Sequence, residues 1–216
     1  MRWYAEGREC DTPDWTRPTS DDTTPVTKLQ TPSGKIEFAS EDYRKFNCDE
    51  ERPVIPKYIP SWEGHHSERA RTYPIAMITP HPRFSMHTMM DCKDSFINDI
   101  AEHRMLVNGR YYLTARVNPE DAAKRGVKEG DLIRLFNDRG NVICCAHVTY
   151  RVPKGVLHAY ESCSDYEPVG TPGEPDCTDL AGCVNILTSK RPMTPTSSGQ
   201  ASNSTLIDFE KWEGLK

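Results

Sequence analysis

The stretch that decides the fold is "VNPEDAAKRGVKEGDLIRLFNDRGNVICCAHVTY", residues 117–150. It opens with complete helix punctuation: Asn118 can cap a helix, Pro119 suits the first helical position, and Gly126 supplies a left-handed stop. The acidic pair that follows the proline favours the positive end of the helix. These signals predict a short, capped surface helix with a structural role and no function of its own.

Outward from this helix, the chain is mostly β. The apolar runs "GDLIRLF" and "NVICCAHVTY" flank "NDRG" and predict a β-hairpin. Four more runs predict strands: "TYPIAMIT" (72–79), "YYLTARV" (111–117), "VLHAY" (156–160) and "STLIDFEKW" (204–212). A second short helix is predicted in "KDSFINDIAEHR", where Phe96, Ile97 and Ile100 recur at helical spacing. About six strands with two short helices and no βα alternation predict a mainly β fold, a barrel rather than a doubly wound sheet.

The first 70 residues have a different composition. They contain only eight of the Leu, Ile, Val and Phe residues, but three of the four tryptophans. Residues 11–34 are rich in Pro, Thr and Asp and predict an extended linker. A short strand is predicted in "GKIEFAS" from Ile36 and Phe38, and a single helical turn in "EDYRKF". We therefore expect residues 1–70 to be an extended, largely irregular strip that packs on a preceding domain, and 71–216 to form the barrel.

Charge, hydropathy and cysteine pattern exclude several classes. A net charge of -5 leaves no basic footprint for nucleic acid. No apolar run reaches the ~20 residues that span a bilayer, and Met1 is followed by a polar stretch rather than a signal peptide. The eight cysteines include no C-x-x-C pair. We interpret them as small hydrophobic residues in a reducing compartment, with Cys144 and Cys145 on opposite faces of one strand.

Three loops carry the candidate chemistry: "ITPHPRFSMHTMM" (78–90), the long segment 159–188 and the polar run 194–205. Their backbone amides, hydroxyls and carboxamides suit phosphates, ribose and purine edges. Arg83 follows a strand end and suits a bidentate phosphate contact. His81 and His87 are six residues apart, which is no standard zinc spacing, so ligand contact is expected there and metal ligation is not. The methionines of this loop are expected to pack.

No catalytic residue is predicted. The chain contains neither a G-x-S-x-G elbow nor an H-E-x-x-H helix. Catalytic residues need not be close in sequence, so a small hydrolase that uses His81 or His87 stays open as an alternative.

An ordered set of segments carries a resemblance to a known family: "TPSGKIEF", "TPHPRFSMHT", "VNPEDAAKRGVKEGDLIRLFNDRG", "PKGVLHAYES", "GCVNILT" and "ASNSTLIDFE". Together they resemble the C-terminal dinucleotide-binding domain of the molybdopterin oxidoreductases, the dimethyl-sulfoxide-reductase family. The "PHPRFS-x-HT" and "NDR" segments are most similar to its transhydroxylase and catechol dehydroxylase branch. The resemblance covers the chain from about residue 31 and implies a double-psi β-barrel.

The resemblance also implies a cofactor and the residues that hold it. The cofactor is bis-molybdopterin guanine dinucleotide with molybdenum or tungsten, bound in the full-length enzyme and expected to be absent from the isolated domain. The implied cofactor-binding residues match the family's loops: Thr79, His81, Arg83, Ser85, Met86, His87, Thr88, Tyr160, Glu161, Asn185, Gln200 and Asn203. The resemblance implies that these residues bind the dinucleotide.

The family's metal ligand and any iron–sulfur cysteines lie upstream of this region. We therefore expect this chain to be the C-terminal part of a larger catalytic subunit and inactive alone. Its partners would be the remainder of that subunit and, as an open alternative, an iron–sulfur electron-transfer subunit, without nucleic acid or a membrane span. The expected compartment is the cytoplasm, unless an upstream twin-arginine signal directs export. A stand-alone double-psi barrel adaptor, or a small subunit that binds the cofactor in trans, is the rival interpretation.

Overall fold

A computed structural model describes residues 31–89, 96–161, 163–174, 176–193 and 199–214. It divides the chain into two compact units, Met1–Ile59 and Pro60–Lys216. The linker predicted at 11–34 lies mostly outside the described residues, as do Cys10, Cys92 and the start of the helix predicted at 93–104. In the described part of the first unit, the regular element is a one-turn helix, α1 (Glu41–Arg44), which confirms the turn predicted there.

The described part of the second unit is mainly β. Its strands are β1 (Ile75–Ile78), β2 (Arg104–Val107), β3 (Arg110–Val117), β4 (Leu132–Asn137), β5 (Gly140–Val148), β6 (Val156–Ala159), β7 (Pro168–Val169), β8 (Thr178–Asp179) and β9 (Thr205–Lys211). Its helices are α2 (Pro119–Lys124) and three single 3₁₀ turns at Glu68–Arg71, Phe96–Asp99 and Val184–Leu187. Within the described ranges, no helix is long and apolar enough to cross a membrane.

Six of these strands close into a barrel. The ring runs β3–β6–β1–β9–β4–β5 and closes through a parallel pairing of β5 with β3. β1 and β6 are also parallel, whereas the other four neighbouring pairs are antiparallel. These six are the strands that the sequence predicted, and the closed, mainly β architecture with a few short helices is that of the predicted double-psi β-barrel.

Alternation along the strands builds the barrel core. On β4, Ile133 and Leu135 are fully buried, while Leu132, Arg134 and Phe136, which alternate with them, are half-buried. β5 is buried on both faces from Gly140 to Ala146, and the 3₁₀ turn 184–187 packs against it. The short strand β8 pairs with its edge. Cys144 joins the barrel core, whereas the Cys145 thiol lies 3.4 Å from Gly130 O. Burial raises the pKa of Cys145 to about 11 and raises the pKa of Cys144 further, so both stay neutral thiols.

The cysteines at described positions agree with their interpretation as small hydrophobic residues. All six are free thiols: Cys48, Cys144, Cys145, Cys163, Cys177 and Cys183. Four of them are buried, which is typical of unpaired cysteine in a protein interior.

Helix α2 forms as its punctuation predicted. The Asn118 side chain accepts a hydrogen bond from Glu120 N at 3.0 Å, and Pro119 stands at the first helical position. Gly126 has φ +65°, so the left-handed stop is occupied by the residue that tolerates it best. The Asn118 amide also donates to Val152 O at 2.9 Å, which ties the helix start to the loop before β6.

Asn118→Ala should lower the free energy of unfolding by about 1–2 kcal/mol, since one helix N–H loses its cap and a buried carbonyl loses its donor. Urea denaturation of the 216-residue chain measures this change. Asn118→Asp keeps the capping acceptor but cannot donate to Val152 O, so it should fall between the parent and the alanine variant. An alanine variant as stable as the parent would contradict the assignment.

Two local predictions are wrong. Residues 34–40 form no strand, and Ile36 and Phe38 are 75% and 80% exposed. Alternation makes a strand only when a neighbouring strand pairs its backbone groups, and none does so among the described residues. The helix predicted over 93–104 is, in its described part, a single 3₁₀ turn at Phe96–Asp99. Glu102 then adopts φ +69°, a left-handed conformation that an α-helix cannot continue through.

The hairpin of β2 and β3 was missed. Its turn is Asn108–Gly109, with φ +50° and +80°, between the paired residues Val107 and Arg110. An Asn-Gly pair between apolar runs is a strong hairpin signal, so the sequence contained the information.

Candidate functional site

The three polar loops lie at the same end of the barrel. β1 and β6 are parallel, with Ile78 opposite His158, so the segments that follow both strands emerge together. β9 is antiparallel to β1, with Thr205 opposite Met77, so the segment that precedes β9 enters at the same end. The two-residue turn between β4 and β5 lies there as well, because β4 is antiparallel to β9. We call this the loop end of the barrel.

A hydrogen-bonded pair joins two of these loops. Thr79, 4% exposed, donates its backbone N–H to Asn203 Oδ1 at 2.7 Å, and its hydroxyl lies 3.4 Å from the same oxygen. The loop after β1 is therefore tied to the loop before β9 at its first residue. Both residues were predicted site residues, and the fold brings them into direct contact.

A second group joins the loop after β1 to the loop after β6. His87 Nδ1 lies 3.2 Å from Glu161 Oε1, and His81 Nε2 lies 3.6 Å from the same oxygen. The two imidazole rings are 4.6 Å apart. Glu161 N also donates to Pro80 O at 3.1 Å, so the backbones of the two loops are held together. Three residues predicted separately thus form one cluster.

The remaining predicted residues of the first loop face outward. Arg83 is exposed, and its guanidinium carbon lies 5.4 Å from the centre of the Phe84 ring. The Ser85 hydroxyl donates to His87 O at 3.4 Å. Met86 is 62% exposed and forms an isolated β-bridge with Met89, which closes a tight turn over His87 and Thr88. His87 has φ +52°, a left-handed conformation that is uncommon for a residue with a Cβ.

Tyr160 lies against two residues that the sequence did not single out. Its ring centre is 5.0 Å from that of His158 and 5.2 Å from the Arg116 guanidinium carbon. Arg116 Nη1 donates to His158 Nδ1 at 3.1 Å. Burial, and then the positive charge of Arg116, lower the pKa of His158, so its ring is neutral and can accept that bond. Only the strand register, which places Arg116 opposite His158, reveals this support.

Asn185 and Gln200 lie apart from these two groups. Asn185 is exposed on the 3₁₀ turn 184–187, and Gln200 is exposed opposite Pro192 in an isolated bridge. Among the described residues, no hydrogen bond or ion pair joins either side chain to the His81–His87–Glu161 cluster. The carboxamides therefore extend the polar surface rather than complete the cluster.

The sequence also missed a partly buried ion pair at the loop end, between Glu63 and Arg139. Arg139 donates from both terminal nitrogens to the Glu63 carboxylate at 2.8 Å, and from Nε to Leu187 O at 2.8 Å. Glu63 Oε2 accepts from Leu206 N at 3.0 Å, and Glu63 N lies 3.2 Å from Ser204 Oγ. This ion pair links the turn after β4 to the 3₁₀ turn 184–187 and to the start of β9.

The charge state of Glu63 follows from these contacts. Burial alone would raise its pKa, but the hydrogen bonds from Arg139 and Leu206 and the nearby charge of Arg69 outweigh it, so the pKa lies below its ordinary value. Glu63 is therefore an anion that holds three segments in place. The "NDRG" turn indicated that Arg139 lies at a hairpin; its partner is 76 residues away and could not be inferred.

Comparisons with known proteins bear on this arrangement. A family model described as Molydopterin dinucleotide binding domain matches residues 75–206, which includes the whole barrel except most of β9. Among curated proteins, the chain is 48% identical over 221 residues to the pyrogallol hydroxytransferase large subunit of Pelobacter acidigallici, an alignment that covers 100% of this chain and 25% of that protein. It is 32% identical over 192 residues to the trimethylamine-N-oxide reductase of Haemophilus influenzae, covering 87% and 21%.

A solved structure shares the fold. The acetylene hydratase from Pelobacter acetylenicus superposes with a TM-score of 0.62 at 17% identity, covering 86% of this chain and 24% of that one. The chain spans about a quarter of the length of the two curated relatives.

Proposed function

The chain belongs to the molybdopterin dinucleotide binding domain family, and from this premise we propose that the loop end of its barrel grips the guanine form of that dinucleotide in a molybdenum or tungsten enzyme. The donors there fit such a ligand. Its phosphates need N–H and cationic donors, and its ribose and guanine need hydroxyl, carboxamide or carboxylate partners. The proposed contacts are the predicted residues: Thr79, His81, Arg83, Ser85, Met86, His87, Thr88, Tyr160, Glu161, Asn185, Gln200 and Asn203.

The single observation that carries the proposal is Arg83. Two other arginines already have protein partners. Arg139 pairs with Glu63, and Arg116 contacts His158 and Glu102. Arg83 is exposed on the loop after β1 and has no ion pair among the described residues. A planar guanidinium that projects from a strand-end loop, with no protein carboxylate to bind, suits a bidentate phosphate contact.

The residues of this chain would bind and orient the cofactor rather than react. The bound group would supply a metal that changes oxidation state while oxygen, hydroxyl or electrons pass to a small substrate. Thr79 and Asn203 would hold the two loops at a fixed spacing, and Arg116 and His158 would fix the Tyr160 ring. A rigid barrel whose loops are tethered to one another by hydrogen bonds gives the precision that such positioning requires.

We also propose that this domain is part of a larger enzyme. The chain spans about a quarter of its relatives, so the remainder of a large catalytic subunit is its proposed partner. Ile36, Phe38 and Tyr58, at 75%, 80% and 84% exposed, would pack on that remainder. The 48% identical relative is named for pyrogallol, and we propose a hydroxylated aromatic substrate here as well. An iron–sulfur partner and a cytoplasmic location complete the proposal.

The rivals make different predictions. For a hydrolase, a nucleophile should lie beside one of the histidines, but among the described residues no hydroxyl or thiol hydrogen-bonds to the ring of His81 or His87; Ser85 bonds the His87 backbone instead. A stand-alone adaptor needs no cofactor and no upstream catalytic region. A reading frame that carries the rest of the enzyme, fused to this chain or adjacent to it, would favour the dinucleotide-binding function. Its absence would favour the adaptor.

Arg83→Ala in the full-length subunit should weaken dinucleotide binding by about 10–150-fold, the loss of a charge-assisted hydrogen bond worth about 1.5–3 kcal/mol. The measurement is guanine nucleotide released from denatured protein, per subunit. Arg71→Ala is the matched control, because Arg71 precedes β1 at the opposite end of the barrel and is 83% exposed. Equal cofactor content in the Arg83 variant and the parent would refute the assignment.

A further inference from the structure

The His81–His87–Glu161 cluster has the make-up of a metal site. The ligand atoms of the three side chains lie within 4.8 Å of one another. A zinc ion binds imidazole nitrogen at ~2.0–2.1 Å and carboxylate oxygen at ~2.0–2.2 Å, so neighbouring ligand atoms of a tetrahedral site are about 3.4 Å apart. The distances from Glu161 Oε1 are 3.2 Å to His87 Nδ1 and 3.6 Å to His81 Nε2. Two of the three edges therefore already have the length that a bound ion requires.

Backbone hydrogen bonds and prolines tether the loops that carry the cluster. His81 stands between Pro80 and the buried Pro82, and Glu161 N is hydrogen-bonded to Pro80 O. Met89 N donates to Met86 O at 2.9 Å and closes the turn that presents His87 in its left-handed conformation. Ligands on tethered loops lose little conformational entropy on binding, which favours affinity.

We propose that His81, His87 and Glu161 bind one divalent transition-metal ion of the zinc class, with open coordination positions toward solvent. Two imidazole nitrogens with one carboxylate oxygen suit zinc, cobalt or nickel, whereas calcium and magnesium prefer a set made up of oxygen ligands. The histidines are 70% and 61% exposed by side chain, so an ion reaches them directly.

Sequence spacing could not reveal this site. His81 and His87 are six residues apart, and the third ligand arrives from the end of β6, 74 residues after His87. The inference does not rest on the proposed function, although the same residues are proposed to face the dinucleotide. Occupancy by an ion is expected in the chain without cofactor.

The test is titration of the purified 216-residue chain with zinc chloride by calorimetry. We expect one ion per chain, with affinity reduced roughly 100-fold or more by His81→Ala, His87→Gly or Glu161→Gln, at or above the effect of altering a supporting residue. Glycine is used at position 87 because it tolerates the positive φ. Thermal melts without metal check that each variant folds. The titration contains no cofactor. A negative zinc result would therefore leave the proposed dinucleotide binding unaffected.

His66→Ala is the matched control, because His66 is exposed and outside the cluster. It should bind zinc as the parent does. Cobalt(II) then reports the ligand type, since thiolate coordination adds an intense near-ultraviolet band that nitrogen and oxygen ligands lack. Stoichiometric binding lost only in the three cluster variants, without that band, supports the site. Absence of stoichiometric binding, equal binding in all variants, or a thiolate spectrum overturns it.

Discussion

Arg139→Met is expected to lower the free energy of unfolding of the barrel by about 3 kcal/mol. The substitution leaves the Glu63 carboxylate, 12% exposed by side chain, without its bidentate partner, and Leu187 O without a donor. Breaking a buried pair from one side costs about 3–5 kcal/mol. The lower value is expected here, because the Glu63–Arg139 pair is only partly buried and Arg69 Nε still lies 3.2 Å from Glu63 Oε2. Urea denaturation of the 216-residue chain measures the change.

The matched control for that variant is Arg151→Met. Arg151 also pairs with a glutamate, Glu102 at 3.2 Å, but its side chain is 72% exposed, so the same substitution should cost under about 1 kcal/mol. The double variant Glu63→Gln, Arg139→Met should recover part of the loss, because position 63 then carries no uncompensated carboxylate and Arg69 keeps Asp138 as its partner. If Arg139→Met and Arg151→Met were equally stable, the Glu63–Arg139 pair would not hold the loop end together.

Asp179→Ala is expected to have a similar or larger effect, about 3–5 kcal/mol. Asp179 is 1% exposed, and its carboxylate accepts three backbone N–H groups: from Glu167 at 2.9 Å, Ala181 at 3.0 Å and Cys183 at 2.8 Å. Without the carboxylate, those donors are left unsatisfied at a buried position. The long segment between β6 and the 3₁₀ turn would then lose the residue that organises it.

Two further variants sharpen this measurement. Asp179→Asn keeps one accepting oxygen but turns an amide donor toward at least one backbone N–H, so its loss should be intermediate. Glu174→Ala, in the same loop but exposed, should change the free energy of unfolding by less than about 0.5 kcal/mol. A small effect of Asp179→Ala would show that the loop is held by other contacts.

The sequence predicted the barrel well because its elements carry local signals. The six ring strands have apolar runs bounded by turn residues, and α2 has a cap, a proline and a stop glycine. Failures occurred where a local pattern lacked a tertiary partner or was ended by an unusual backbone conformation. Ile36 and Phe38 alternate but have no neighbouring strand among the described residues, and the helical spacing after Phe96 ends at Glu102.

For the candidate site, the sequence determined which loops carry the polar groups. Both a polar loop after a strand and an unusually long connection can be recognised from the sequence alone. It also determined the residue types: an arginine suited to phosphate, carboxamides, and two histidines. Only the tertiary structure decided which of them meet. The parallel pairing of β1 with β6 brings Glu161 to His81 and His87, and the antiparallel pairing with β9 brings Asn203 to Thr79. Strand register is set by the closure of the whole barrel rather than by any single segment. These contacts, and the ion pair between Glu63 and Arg139, therefore could not be inferred from the sequence alone.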